Sequence, residues 1–235
     1  MKATALEVEN MTCGYGNAMI LRDLSMKIIS GESVSVLGKN GMGKSTLLKA
    51  IMGFLPKARG SVRLFGFDTT RTKPHNIARH GIAYAAQEQP LFTDLTVRNN
   101  LEIALKHPET FDQLFRPITH LFPVFANRLD QPAGTLSGGE QKMLLVARCL
   151  MLRPSFIMLD EITEGLQPLV IDNIAEALKW ERESHGTTML IIEQNIQFAL
   201  KVTDRFQIMS KGTLVDSGCC DEDGASEKIL RHLSV

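Results

Sequence analysis

No run of about 18 apolar residues occurs in the chain, so the sequence offers no helix to cross a bilayer. The opening Met1-Lys2-Ala3-Thr4-Ala5-Leu6-Glu7 lacks the long apolar core of a signal peptide. These two absences lead to the expectation of a cytoplasmic chain. A charge surplus is missing as well. Lys plus Arg number 26 and Asp plus Glu number 26, for a formal net charge of zero. Proteins that hold duplex nucleic acid usually carry a basic excess on one face, so the balance argues against a nucleic-acid partner. The four cysteines, Cys13, Cys149, Cys219 and Cys220, form no CxxC motif, which predicts free thiols in a reducing compartment. Cys149 lies in a helical apolar pattern and is expected to be buried. The adjacent Cys219 and Cys220 lack further ligands nearby and read as a surface turn rather than a metal site. No internal repeat or low-complexity tract is evident.

What the chain does contain is enough apolar material for a large core: 44% hydrophobic residues over 235 positions. Short apolar runs alternate with helical patterns, which points to an α/β fold with a largely parallel sheet. Strands are predicted at Ser33–Leu37, Ile82–Ala86, Phe156–Leu159, Met189–Ile192 and Phe206–Met209. Several are almost wholly apolar, as strands covered on both faces should be. Helices are predicted at Lys44–Gly53, Glu140–Leu152 and Pro168–Glu183. The more alternating Leu6–Val8 and Leu24–Ile28 predict an antiparallel edge sheet. From Glu88 to Thr135 strand character fades. Thr96–Leu105 has helical spacing after a Thr cap candidate, and Leu114, Ile118, Leu121, Phe122 and Phe125 mark further apolar positions. Prolines at 108, 117, 123 and 132 are expected to break this stretch into short pieces, giving a mostly helical subdomain inserted into the α/β core.

Gly38-Lys39-Asn40-Gly41-Met42-Gly43-Lys44-Ser45-Thr46 fits G-x4-G-K-[ST]. It follows an apolar strand and precedes a helix, the context its mechanism requires. Glycines let the backbone wrap an anion with its N–H groups turned inward, and the helix N-terminus adds favourable partial charge. Lys44 supplies a point charge for the outer phosphates, and the Ser45 hydroxyl can ligate Mg²⁺. An ordinary glycine-rich turn would explain the glycines but not the strand–loop–helix setting. A second element complements the loop: Phe156-Ile157-Met158-Leu159-Asp160-Glu161, an apolar run ending in two acids. Acids at the end of a buried strand emerge at the carboxyl edge of the sheet, where ligands bind. Asp160 can hold the Mg²⁺ shell, and Glu161 is the candidate to polarise an attacking water.

Leu136-Ser137-Gly138-Gly139-Glu140-Gln141 opens another helix. A capping box explains Ser137 and Glu140. It does not explain Gly138 and Gly139, which cost helix stability, whereas close approach of an anion to bare N–H groups does. One chain then carries two phosphate-binding helix starts. Head-to-tail dimerisation reconciles them, with each ATP between the loop of one subunit and the second helix start of its partner.

With these motifs the chain resembles the ABC ATPases, whose signature LSGGQ is here LSGGE. The resemblance covers nearly the whole chain. It implies a P-loop NTPase fold with an antiparallel β edge subdomain and an inserted helical subdomain. On that pattern one ABC ATPase domain spans residues 1–235, with its core at 1–87 and 154–235 and the helical part at 88–153. It also implies that ATP and Mg²⁺ are bound and ATP hydrolysed. Tyr15 matches the aromatic that stacks on adenine; the lesser alternative is a buried strand tyrosine. Gln87 matches the glutamine that joins core to helical subdomain and senses Mg²⁺ and nucleotide. Three departures stand out. The loop after the acids reads Glu164-Gly165-Leu166-Gln167 where SALD is commonest, and Ile162 replaces the usual proline. Gln194 takes the place of a histidine that contacts the γ-phosphate. An amide donates a hydrogen bond but carries no charge and shuttles no proton, which leaves Glu161 as the main candidate base.

Within the family, TEGLQP (163–168) and IIEQN (191–195) resemble the ATPase subunits of branched-chain amino-acid and urea or amide importers, and Gln87 with Gln167 leans towards the urea and amide branch. That resemblance implies membrane-spanning permease subunits and a second ATPase subunit, identical or different. It also implies a solute-binding protein that acts indirectly, and a place on the inner face of the cell membrane. The alternatives are a soluble ABC protein working on ribosomes or DNA, which usually has tandem cassettes or a coiled-coil insertion, and a lipopolysaccharide-exporter ATPase, whose family usually keeps the histidine.

Overall fold

A computed structural model describes residues 3–87, 91–105 and 107–233. The hairpin of β1 (Thr4–Tyr15) and β2 (Ala18–Ile29) is followed by β3 (Ser33–Leu37), which runs into the glycine-rich loop and α1 (Lys44–Ile51). Next come β4 (Lys57–Leu64), β5 (Phe67–Asp68), α2 (Pro74–Arg79) and β6 (Ile82–Ala85). A helical stretch holds α3 (Val97–Glu102), α4 (Phe111–Leu121) and α5 (Gly138–Met151). The chain then alternates through β7 (Phe156–Asp160), α6 (Pro168–His185), β8 (Thr188–Glu193), α7 (Ile196–Val202) and β9 (Arg205–Ser210), closing with β10 (Thr213–Cys219) and α8 (Ala225–Leu233).

Two sheets result. An antiparallel sheet has the order β2-β1-β4-β5, and a six-stranded sheet has the order β10-β9-β3-β8-β7-β6. In the second, β3, β6, β7, β8 and β9 are parallel, and only β10 is antiparallel, to β9. Every residue of β3, β7 and β8 is buried, because apolar clusters cover both faces. On one face Met158, Leu190 and Ile192 pack with Leu47 and Ile51 of α1 and with Leu6 and Val8 of the hairpin. On the other, Ile157, Leu159, Met189 and Ile191 pack with residues of α5 and α6 such as Leu144 and Leu178. Alternate residues of one strand thus serve opposite faces, as the period of a strand requires.

All five predicted strands and the antiparallel edge sheet are present. β7 and β8 run one residue further than their apolar runs, so that each ends on an acid, Asp160 and Glu193. Thr96 caps α3, its hydroxyl accepting from Asn99 N–H at 3.1 Å, but the helix ends at Glu102 rather than Leu105. Glu88, Gln89 and Pro90, where the helical segment was expected to begin, lie outside the described residues, as do Met1 and Lys2. The expectation that every proline breaks this stretch is corrected at Pro117, which lies inside α4. Proline forfeits one helical hydrogen bond, yet Phe111, Phe115 and Ile118 are buried in the core and the Phe111 and Phe115 rings stack at 5.1 Å. Burial of that face holds the helix despite the proline.

The cysteines are free, with Cys13 and Cys149 buried and Cys219 exposed. Burial pushes the Cys149 thiol up to about 11. Cys219 ends β10 and Cys220 starts the turn after it. Among the described residues, no group of three or more His, Cys, Asp and Glu side chains is arranged to hold a metal, and no helix is long and apolar enough to cross a membrane.

Candidate active site

Because β3, β7 and β8 are parallel, the segments that leave their carboxyl ends meet along one edge. The loop after β3 brings Asn40, Gly41, Gly43, Lys44, Ser45 and Thr46 to a cleft of about 400 Å³ also lined by Tyr15, Ile20, Gln87 and Glu161. Gly43 has a φ of 102°, and a Cβ on it would lie 3.0 Å from a Leu21 methyl. Only glycine fits there, where the loop turns into α1 under the hairpin. Tyr15 is not buried in its strand. It sits at the end of β1, 48% exposed, and faces the cleft.

Lys44 is almost wholly buried. Its Nζ donates to the carbonyls of Gly38 at 2.7 Å and Lys39 at 3.0 Å and pairs with Glu161 Oε1 at 2.9 Å. Glu161 occupies the left-handed region, with a φ of 48°, a conformation that costs a non-glycine residue on the order of 1–2 kcal/mol. Its own N–H donates to Ile192 O at 2.9 Å, which anchors this turn to β8 and presents the carboxylate to the loop. The Ser45 hydroxyl donates to Asp160 Oδ1 at 2.9 Å. Burial raises the Asp160 carboxyl above its ordinary value, partly offset by that hydrogen bond. A hydroxyl and a buried carboxylate side by side form a hard-oxygen pair suited to Mg²⁺, which typically takes only one or two protein carboxylates and completes its shell with phosphate and water.

Gln87 Nε2 donates to Glu161 Oε2 at 3.2 Å and to Glu164 Oε2 at 2.9 Å. Gln194 reaches the phosphate loop, its Nε2 donating to Asn40 Oδ1 at 2.7 Å. Sequence reasoning missed two participants. Glu193, the last residue of β8, is buried and accepts four hydrogen bonds from Thr163, Gln194 and Asn195. Lys142 lies one turn into α5, beside the second helix start. The signal for Glu193 was present in the sequence: a polar acid closing an apolar strand, as Asp160 does.

The second helix start lines a separate cleft of about 400 Å³ with Ser137, Gly138, Gly139, Lys142, Glu164, Gly165, Leu166, Gln167 and Val170. The first cleft has none of these residues. The capping box is complete in both directions. Glu140 does not line the cleft: its Oε2 accepts from Ser137 N–H and its Oε1 from Arg128, both at 2.8 Å. In this subunit Glu140 serves as a helix cap, as the capping box predicted. The two glycines have different reasons. A Cβ on Gly139 would come within 3.0 Å of Val170, whereas one on Gly138 would meet nothing within 4 Å. Packing against Val170 accounts for Gly139, whereas Gly138 has open space where a side chain would stand.

Residues 21–164 match the family model described as ABC transporter. The chain is 35% identical to the high-affinity branched-chain amino acid transport ATP-binding protein BraG of Pseudomonas aeruginosa, over 89% of this chain and 91% of that one. It is 35% identical to the probable branched-chain amino acid transport ATP-binding protein LivF of Archaeoglobus fulgidus, over 92% and 93%. To the lipopolysaccharide export system ATP-binding protein LptB of Escherichia coli it is 31% identical, over 96% and 95%. Among solved structures, a nucleotide-free ATP-binding cassette from an ABC transporter superposes with a TM-score of 0.85 at 27% identity, covering 97% of this chain and 95% of that one.

Proposed function

The chain belongs to the ABC transporter family and is an ATPase, and on that footing we propose that it powers an importer of branched-chain amino acids, or of urea and short amides. The observation that carries the ATP-hydrolysing part of this reading is the convergence of Lys44, Ser45, Asp160 and Glu161 at one edge of the parallel sheet. Lys44 meets the outer phosphates of ATP, and Tyr15 stacks on the adenine. Ser45 and Asp160 would hold Mg²⁺, which when bound neutralises charge on the phosphates. As Lys44 turns to the phosphates it releases Glu161, and the carboxylate orients the attacking water. Gln87, bonded to Glu161, reports on that change to the helical region. The two clefts with no common lining residue support a head-to-tail pair, each ATP lying between the loop of one subunit and the second helix start of the other.

Gln194 positions and does not act as a base. Gln194→Ala removes its donor to Asn40, and the expected effect is a fall in turnover of about 10-fold, the scale of one neutral hydrogen bond. A phosphate-release assay at saturating ATP checks this, and a loss as complete as that of Lys44→Ala would contradict it.

The named transport roles of BraG and LivF support the importer reading. The named role of LptB supports export as a second reading, against which stands the amide at Gln194. Capture of the chain from its native membranes decides between them. The expected result is co-capture of permease subunits of a solute importer with a second ATPase chain, while capture of lipopolysaccharide-export membrane subunits would overturn it. The docking face is the segment 88–135, of which residues 88–90 and 106 lie outside the described residues. Leu91 packs on the core, but Phe92 is 53% exposed, a side chain suited to a groove for a partner helix. Phe92→Cys is expected to cross-link to a permease subunit; cross-links confined to the C-terminal region would reject this face.

A further inference from the structure

We propose that Glu193 is a positioning residue whose buried carboxylate clamps the turn after Glu161 to the turn that carries Gln194, so that both face the γ-phosphate together. The inference rests on the reading of Glu161 and Gln194 given above. Glu193 is 2% exposed. Its Oε1 accepts from Thr163 N–H at 3.1 Å, and its Oε2 accepts from the Thr163 hydroxyl at 2.8 Å. The same Oε2 accepts from the N–H groups of Gln194 at 3.2 Å and Asn195 at 3.4 Å. Thr163 stands two residues after Glu161. Gln194 in turn grips Asn40 of the phosphate loop, and Asn195 caps α7. One side chain therefore joins the acid's turn, the loop after β8 and, through Gln194, the phosphate loop.

The chemistry explains why a carboxylate stands here. All four partners are donors, and a carboxylate offers acceptor sites on both oxygens, whereas an amide must set an NH₂ against at least one donor. The partners are neutral, so burying the charge is unfavourable in itself, and burial does raise the Glu193 carboxyl above its ordinary value. A residue needed only to fill space at the end of an apolar strand would be apolar. The four bonds give the acid a reason to be there: they set two turns whose side chains work on the same phosphate.

The test uses the full chain, with turnover and KM measured for ATP and Mg²⁺ beside thermal unfolding. Glu193→Gln is expected to lower kcat on the order of 10- to 100-fold, the scale of a misplaced reacting group, with KM for ATP within about twofold. Thr163→Val keeps the shape and removes only the hydroxyl contact, and is expected to lower kcat in the same sense by several-fold with little change in melting. The double variant should be no slower than Glu193→Gln alone, because both act through one clamp. If Glu193→Gln proves unstable, Thr163→Val decides the matter. Parent kcat in both variants, or a loss that follows the melting temperature alone, would overturn the clamp. Glu161→Gln serves as the reference: if it turns over at the parent rate, the reading of the site has failed, whereas if it is inactive while Glu193→Gln and Thr163→Val are fully active, only the clamp has failed.

Discussion

Lys44→Ala should leave a protein that neither holds nor turns over ATP. The ammonium is buried and makes three contacts, to Glu161, Gly38 and Lys39. Charge-assisted hydrogen bonds are worth roughly 1.5–3 kcal/mol each. Losing even one bond of that strength to phosphate lowers affinity about 10- to 150-fold. The lysine meets more than one phosphate oxygen in this mechanism, so the loss should lie at the upper end or beyond. Removing it also strands the Glu161 carboxylate, which is 4% exposed. Breaking a buried ion pair by removing one partner is unfavourable by about 3–5 kcal/mol, so the melting temperature should fall by several degrees. Calorimetric titration with ATP and Mg²⁺, followed by a melting curve, measures both effects. Binding at the parent affinity would remove Lys44 from the phosphate site.

Glu161→Gln should separate binding from hydrolysis. Glutamine keeps the shape and can still accept from Gln87, but loses the negative charge. Lys44 keeps its two carbonyl partners, so the loop should hold its form and ATP should still bind. Turnover should fall by roughly two orders of magnitude or more, as expected on losing a positioned general base. No covalent nucleophile is needed, since phosphoryl transfer depends on positioning and charge stabilisation. Hydrolysis is what releases a nucleotide sandwich, so the variant should accumulate as an ATP-bound dimer. Sedimentation with ATP and Mg²⁺, beside a phosphate-release assay, reads both effects. Hydrolysis at the parent rate would show that Glu161 is not the base.

The legible elements are those in which one physical cause dominates. β3, β7 and β8 are covered on both faces, so their apolar runs stand out without knowledge of what covers them. β4 and β10 went unread: in β4 only Val62 and Leu64 are buried, and in β10 exposed and half-buried residues alternate. Such strands take their structure from a neighbour's edge rather than from their own pattern. α2 and α7 are six and seven residues long, too short to reveal a helical period. Pro117 was misjudged for a related reason, because local backbone preference opposes the helix and burial of Phe111, Phe115 and Ile118 overrides it.

The sequence by itself determined the glycine-rich phosphate loop, the two acids at the end of the apolar run of β7 and the second helix start, because each depends on residues adjacent in the chain and on backbone geometry that neighbours dictate. The tertiary structure alone decided which groups meet. Lys44 and Glu161, Ser45 and Asp160, Asn40 and Gln194, and Thr163 and Glu193 are paired across long stretches of chain. Only the parallel order of β3, β8 and β7 brings their carboxyl ends to a single edge. It also divided the signature residues by task, turning Glu140 to the cap and Arg128, setting Gly139 against Val170, and leaving Gly138 open. A local motif records what a residue is able to do, whereas a hydrogen bond of about 3 Å between distant residues exists only once the packed sheet has fixed both ends.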